Sequence, residues 1–493
     1  MAPRPKLLIC TPEIVLGLPE GIGNLSGRII NFMTGGMAPV NSAYVKAFAD
    51  DGDIESHAVV PKWESSLREL SDLTEREIRR MQGALGERLH LIQDTSFNRV
   101  RICGSNTLMY DDTARFSPLK RALAFSNGIV NYVIPHVQPD IVWLSDWMVG
   151  LVAPVARAQG IKVLTTGHNI FTGRAAFDHI VDRGIEIRNG PDYRPEDHLY
   201  WSQGRVDMFA TGIFAADYFT TVSEGFLQRI AAGAFDQDGS KPQCVLEEIK
   251  NKVHSGNAKG VPNPLEDEHS DFLYELERYG GEATARLRSD KRLQLCEEVG
   301  LRPGPRVVVY PNRLFSAQKN PELLFENAIR LAHETDSRIL ILANGQEDLI
   351  QRAHNVARES DGYVAYRPFR QAIEDLAKGG DNVYGLMTPH YEPCGGPNIN
   401  YPFEGVLVMG HRIDGLEDTC IAFSADHTAG NGFPFSNNDR GGLDYAFTQM
   451  QRFSELEPVV RYGILERVAR ETYQAHRAAT KKDIMKDIMM NLL

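Results

Sequence analysis

Short apolar runs separated by longer stretches of helical period set the pattern of this chain. Lys6-Leu7-Leu8-Ile9-Cys10 is the first, stopped by Thr11-Pro12, and it reads as a buried strand. Asp140 to Leu144, Lys162 to Thr166 and Tyr218 to Val222 read the same way. Between them lie helical patterns such as Val40 to Ala49, Leu151 to Gln159 and Glu224 to Ala232. Strands alternating with helices predict right-handed βαβ units around a parallel sheet.

From about Asp236 to His269 the chain turns polar and bears glycine and proline, apart from a helical piece at Val245 to Lys252. A second series then begins with a strand at Arg306 to Tyr310 and a helix from Pro321 to Glu334. Strands at Arg338 to Ala343 and Gly405 to Met409 continue it. Pro458 to Leu493 reads as mostly helical, with the proline suited to a first turn. The expectation is an α/β protein of two Rossmann-like, doubly wound domains, residues 1–275 and 276–465. A terminal helical segment, 466–493, is expected to pack back on the first domain. Two such halves facing each other would hold a ligand in a central cleft, at the carboxyl ends of the strands.

Composition narrows the function. At 493 residues the chain exceeds one ordinary core, and 24% charged against 42% hydrophobic residues is the balance of a globular protein. A net charge of −12 opposes a nucleic-acid backbone, so no nucleic-acid partner is expected. A small anion remains compatible, because a few placed cations and backbone amides suffice to hold one. No apolar run reaches the roughly 18 residues of a membrane span, and the first strand is too short for a signal peptide. Six cysteines lie scattered without metal-ligand spacing, which fits reduced thiols and a cytoplasmic setting. No Walker A or zinc signature is present. The cluster Gly21-Ile22-Gly23 lacks the dinucleotide pattern directly after the strand.

Four segments carry candidate chemistry. Glu392-Pro393-Cys394-Gly395-Gly396-Pro397 sets a carboxylate ahead of a glycine-bearing loop that opens a helix. The carboxylate could accept sugar hydroxyls while loop amides held phosphate; an ordinary capped loop would use the same residue types. Arg313 and Lys319 follow a buried strand, where two cations would neutralise charge on a departing diphosphate, or simply flank a helix start. His168-Asn169 and Asp146-Trp147 each follow a strand end, where ligands of α/β proteins sit. Asp146 could bind hydroxyls and Trp147 could stack on a sugar face; helix capping and core filling would explain both equally.

Together these segments resemble the bacterial glycogen synthase and plant starch synthase family, ADP-glucose-using, retaining glycosyltransferases of GT-B fold. Thr34-Gly35-Gly36-Met37-Ala38-Pro39-Val40 is similar to the family's K-T-G-G-L-A-D-V. Asp146-Trp147 resembles H-D-W, His168-Asn169 resembles H-N, and Gly260 to Asn263 resembles G-I-P-N. Gly204-Arg205, Thr211-Gly212-Ile213 and Thr221-Val222-Ser223 follow G-K, G-I and T-V-S in order. Arg313 with Gln318-Lys319, then Glu392 to Gly395, then Gly415-Leu416 and Asp418-Thr419, and finally Gly430 to Phe435, complete the series.

The resemblance implies roles. Glu392 and His168 would contact the transferred sugar, and Arg313 and Lys319 would clamp the diphosphate. Gly35, Gly36, Cys394, Gly395 and Gly396 would border the donor. Asp146, Trp147, Asn169 and Asn263 would line the sugar and acceptor side. No metal and no cofactor are implied beyond a nucleotide diphosphate sugar as co-substrate, with a glucan or a small hydroxyl compound as acceptor. Departures accompany the match. Met33 and Ala210 stand where the family has lysines, Pro39 replaces an aspartate, Pro397 a threonine and Asp414 a glycine. A changed donor or acceptor, or a non-catalytic nucleotide-sugar binder, would also account for them.

Overall fold

The computed structural model describes residues 3–17, 29–32, 37–63, 83–97, 117–185, 199–265 and 267–493. The chain forms two compact units, one of residues 1–264 with 478–493 and the other of residues 265–477.

The first unit is built on seven parallel strands: β1 (Lys6–Cys10), β2 (Glu55–Pro61), β3 (Leu89–Ile92), β4 (Ile141–Ser145), β5 (Lys162–Gly167), β6 (Tyr218–Thr221) and β7 (Ala258–Gly260). Their order across the sheet is β7-β6-β5-β4-β1-β2-β3, with Leu8 registered between His57 and Val142. Helices cover a sheet of this kind on both sides, so its strands are apolar on both faces; Leu7, Leu8, Val142 and Leu144 have no exposed surface. Trp143 fixes the middle of the core. Tyr44 of the helix Met37–Ala49 meets its ring edge-on at 4.9 Å, and its indole N–H donates to Thr166 Oγ1 at 2.7 Å.

The second unit has six parallel strands: β8 (Arg306–Tyr310), β9 (Ser337–Leu342), β10 (Val364–Arg367), β11 (Val383–Met387), β12 (Leu407–His411) and β13 (Gly432–Phe435). Their order is β10-β9-β8-β11-β12-β13. In both sheets the first strand lies inside, and the winding reverses beside it, between β1 and β4 and between β8 and β11. Loops leaving the carboxyl ends of those pairs diverge to opposite faces, which opens a crevice in each unit.

The unit boundaries differ from residues 275 and 465 for a packing reason. Phe272, in the helix Asp271–Tyr279, is fully buried in the second unit's core, which also takes Tyr462, Leu465 and Val468 from the helix Pro458–His476. The last helix, Ala478–Met490, belongs to the first unit. It buries Met485 and Met489 there, while Lys482 and Lys486 both donate to Asp51, at 2.8 and 2.9 Å. Desolvation alone would raise the Asp51 carboxyl, but these two ammonium groups hold it well below the usual carboxylate range.

Candidate functional site

The reversal point of the second unit gathers Arg313, Lys319, Glu392, Cys394, Gly395 and Gly396. The chain leaves β8 through Asn312, whose amide donates to Leu386 O at 3.1 Å, and forms the short helix Ser316–Lys319. Three groups grip the end of that helix. Tyr310 Oη donates to Lys319 O at 2.8 Å, Thr388 Oγ1 donates to the same oxygen at 3.1 Å, and His390 N–H donates to Gln318 O at 2.8 Å. The loop after β11 is thereby pinned against the helix, and Lys319 Nζ donates to Glu392 Oε2 in a buried ion pair. An ammonium carries three N–H donors, so the pair leaves Lys319 with donors to spare. Arg313 is exposed and makes no hydrogen bond or ion pair among the described residues.

Two segments far apart in sequence interlock behind this pair. Glu392 N–H donates to Asp414 Oδ2 at 2.8 Å, and Gly415 N–H donates to Glu392 O at 2.9 Å. A Cβ on Gly415 would stand 2.6 Å from both Cα and O of Cys394, so only glycine allows the two backbones this approach. Gly395 has φ +84°, a left-handed turn that aims the chain into the helix Pro397–Phe403. Cys394 is buried and forms no disulfide among the described residues.

Asp146, Trp147, His168, Asn169 and Asn263 lie in the first unit, at the carboxyl ends of its strands. Ser145 Oγ donates to Asn41 Oδ1 at 3.3 Å, and Asn41 donates to Thr11 Oγ1 at 2.6 Å, tying β4 to the loop after β1. Asp146 takes φ +62°, and its Oδ1 accepts the His168 N–H at 2.7 Å. Desolvation pushes its carboxyl up to about 7; the His168 N–H opposes that and the nearby Glu13 carboxylate adds to it. Burial pulls His168 down to about 4, and its Nε2 has no hydrogen-bond partner among the described residues. The His168 ring is therefore a neutral, desolvated imidazole at neutral pH.

The other residues of this unit divide between packing and the cavity wall. Trp147 packs closely against the chain at Gly173, where a Cβ would stand 2.4 Å from its ring, so part of the indole is spent on packing. Asn169 Oδ1 accepts the Ile170 N–H at 2.8 Å. Asn263, with His168, Thr166 and Thr220, lines a small cavity that Met485 of the last helix also borders.

Most of the departures from the family pattern are absorbed by local structure. Pro39 stands in the first turn of the helix Met37–Ala49, where its missing N–H costs nothing. Ala210 is fully buried in the helix Met208–Ala215, and its N–H donates to the capping Asp207 at 3.0 Å. Pro397 opens the helix Pro397–Phe403, a position whose N–H has no partner within the helix in any case. Gly35, Gly36 and Met33 lie outside the described residues. The anchors Tyr310, Thr388 and His390 escaped the sequence reading. Their contacts join loops from different strands, and no periodicity marks such contacts.

Comparisons with known proteins agree with this geometry. Residues 29–241 match a family model described as the starch synthase catalytic domain. The chain is 26% identical over 451 residues to a glycogen synthase of Bacillus subtilis, covering 85% of this chain and 88% of that protein. A glycogen synthase of Lacticaseibacillus casei is 23% identical, with 91% and 95% covered. The solved catalytic domain of starch synthase IV from Arabidopsis thaliana, bound to ADP and acarbose, superposes with a TM-score of 0.69 at 17% identity. That likeness spans 97% of this chain and 99% of that one, and it establishes the fold as GT-B. The chain is thus a glycosyltransferase of GT-B fold, similar over most of its length to glycogen synthases and a starch synthase.

Proposed function

We propose that this glycosyltransferase moves a glucosyl group from ADP-glucose to a hydroxyl at the end of a glucan, with retention of anomeric configuration. The observation that carries the reading is the buried Lys319–Glu392 pair at the reversal point of the second unit, with Arg313 exposed in the same loop and without a hydrogen bond or ion pair among the described residues. As the bond from the anomeric carbon to the diphosphate breaks, negative charge builds on the leaving group. Lys319, held by Glu392 and acting through its remaining donors, supplies opposing charge from a fixed position, and Arg313 adds charge from the same loop, so the reading calls for no metal ion. Glu392 accepts hydrogen bonds from sugar hydroxyls, and the Gly395 and Gly396 turn brings backbone close to the donor. In the first unit, His168 and Asp146 serve the sugar, and Asn263 and Asn169 the acceptor side. The neutral His168 ring suits a hydrogen bond to a sugar hydroxyl better than a bond to phosphate.

The test has two arms. Melting midpoints are measured with ADP, UDP, GDP and their glucose conjugates; a ligand at a hundred times its dissociation constant adds about 2.7 kcal/mol, enough to single out the base. Turnover is then measured for Glu392→Ala and Lys319→Ala, each expected to lose about 2–4 kcal/mol of transition-state stabilisation, roughly thirty-fold to nearly a thousand-fold in rate. Unchanged turnover in both variants would overturn the site. A preference for UDP or GDP would reassign the donor and leave the site standing.

A further inference from the structure

Asp414 occupies a backbone conformation that favours glycine, with φ +48° and ψ −123°, and it has no exposed surface. By the family resemblance a glycine stands at this position, and glycine takes that conformation freely. Strained, buried carboxylates persist where the surroundings over-determine them. The side chain provides something a glycine lacks, an acceptor, and Asp414 Oδ2 takes the Glu392 N–H at 2.8 Å. The next residue completes the grip, because Gly415 N–H donates to the Glu392 carbonyl at 2.9 Å. Both backbone polar groups of Glu392 are thus held by consecutive residues of one loop. With the backbone fixed from behind, the side chain is directed at Lys319.

We infer that Asp414 is a positioning residue for Glu392, acting through the Glu392 amide rather than touching substrate. The inference rests on the proposed role of Glu392. It implies that this chain sets its donor-side carboxylate with a side-chain tether, where a glycine in the same place leaves the Glu392 N–H without this acceptor. A misplacement of about 1 Å at a reacting centre is enough to cost a hundred-fold in rate, so a single tether at this point can govern kcat.

The test is a kcat and KM comparison with ADP-glucose and glycogen for the unsubstituted protein, Asp414→Gly, Asp414→Asn and Glu392→Gln. Calorimetric binding of ADP and the melting midpoint of each variant are measured alongside. Asp414→Gly removes the tether and the backbone strain together, so the fold is retained. It is expected to lose kcat by about ten-fold or more while KM for ADP-glucose and ADP affinity stay near their original values. Asparagine tolerates positive φ and keeps an oxygen acceptor, so Asp414→Asn should restore most of the kcat. Full kcat in Asp414→Gly with an inactive Glu392→Gln would overturn the inference alone. Parallel loss of kcat, ADP binding and melting midpoint in both Asp414 variants would reduce Asp414 to a structural role. Full turnover in Glu392→Gln would overturn the reading of Glu392, and the tether with it.

Discussion

The two reversal points share a topology and differ in charge. In the second unit, Lys319 and Glu392 are both buried and paired through one hydrogen bond, so the site is ionic and keeps Lys319 donors for a ligand. In the first, Asp146 and His168 are joined through a backbone N–H, not through their charges, and desolvation drives both toward their neutral forms. Burial of a titratable group therefore has two outcomes in one molecule. Lys319 and Glu392 are held as a hydrogen-bonded pair, whereas for Asp146 and His168 desolvation moves the proton equilibrium. An ionic site suits a diphosphate and a neutral one suits sugar hydroxyls, which is the division of labour proposed above.

The sharpest way to break this comparison is to remove one partner of the ionic pair. Lys319→Ala leaves a buried carboxylate uncompensated and should lower stability by about 3–5 kcal/mol in urea unfolding. Lys319→Met combined with Glu392→Leu should recover much of that loss, because no charge then remains to be desolvated. If the double variant is as unstable as the sum of the singles, the pair is not what keeps those charges buried.

The neutral site is tested by pH. The folded-state pKa of Asp146, about 7, lies above its unfolded value, so its contribution is full below about pH 4 and is lost as pH rises toward 7. For His168 the folded value, about 4, lies below the unfolded one, so its contribution is full above about pH 6.5 and is lost as pH falls toward 4. The two slopes oppose each other across this window and largely cancel in the unsubstituted protein. Asp146→Asn should therefore give stability that falls on acidification from about pH 6.5 to 4. His168→Gln should give the opposite slope, falling as pH rises from about 4 to 7. Melting midpoints across that range decide it, and matching slopes in the two variants would refute the assignment.

The smallest effect serves as a control. Asp51→Ala takes the shared carboxylate from Lys482 and Lys486, leaving Lys486 its bond to Asp53, and should loosen the last helix from the helix Met37–Ala49, costing about 1–3 kcal/mol. The melting midpoint should drop by more than turnover does, since Asp51 itself lies at neither reversal point and only Met485 of the last helix borders the His168 cavity.

Strands made of unbroken apolar runs were legible from composition alone: Lys6–Cys10 and Arg306–Tyr310 have the ends read from the sequence, as does the proline-started helix Pro321–Glu334. Glu55–Pro61 and Val383–Met387 were not legible. The first begins Glu-Ser-His, the second carries Gly385 in its middle, and each becomes a strand because neighbours on both sides supply hydrogen bonds. Candidate residues were legible as types placed after strand ends. Asp414 could be read from the sequence only as an extra negative charge. Its use as an acceptor for the Glu392 N–H needed the loops after β11 and β12 to be side by side.

The sequence by itself determined two alternating series of strands and helices and the order of the motifs along them. It also determined which side chains stand at strand ends, because apolar runs and their breakers act locally. Tertiary structure alone decided which of those side chains are charged and which residue holds which. It paired Lys319 with Glu392, left His168 Nε2 without a partner among the described residues and set Asp414 behind Glu392. The reason is physical: desolvation and pairing depend on what surrounds a group in space, and those surroundings come from residues dozens to hundreds of positions away.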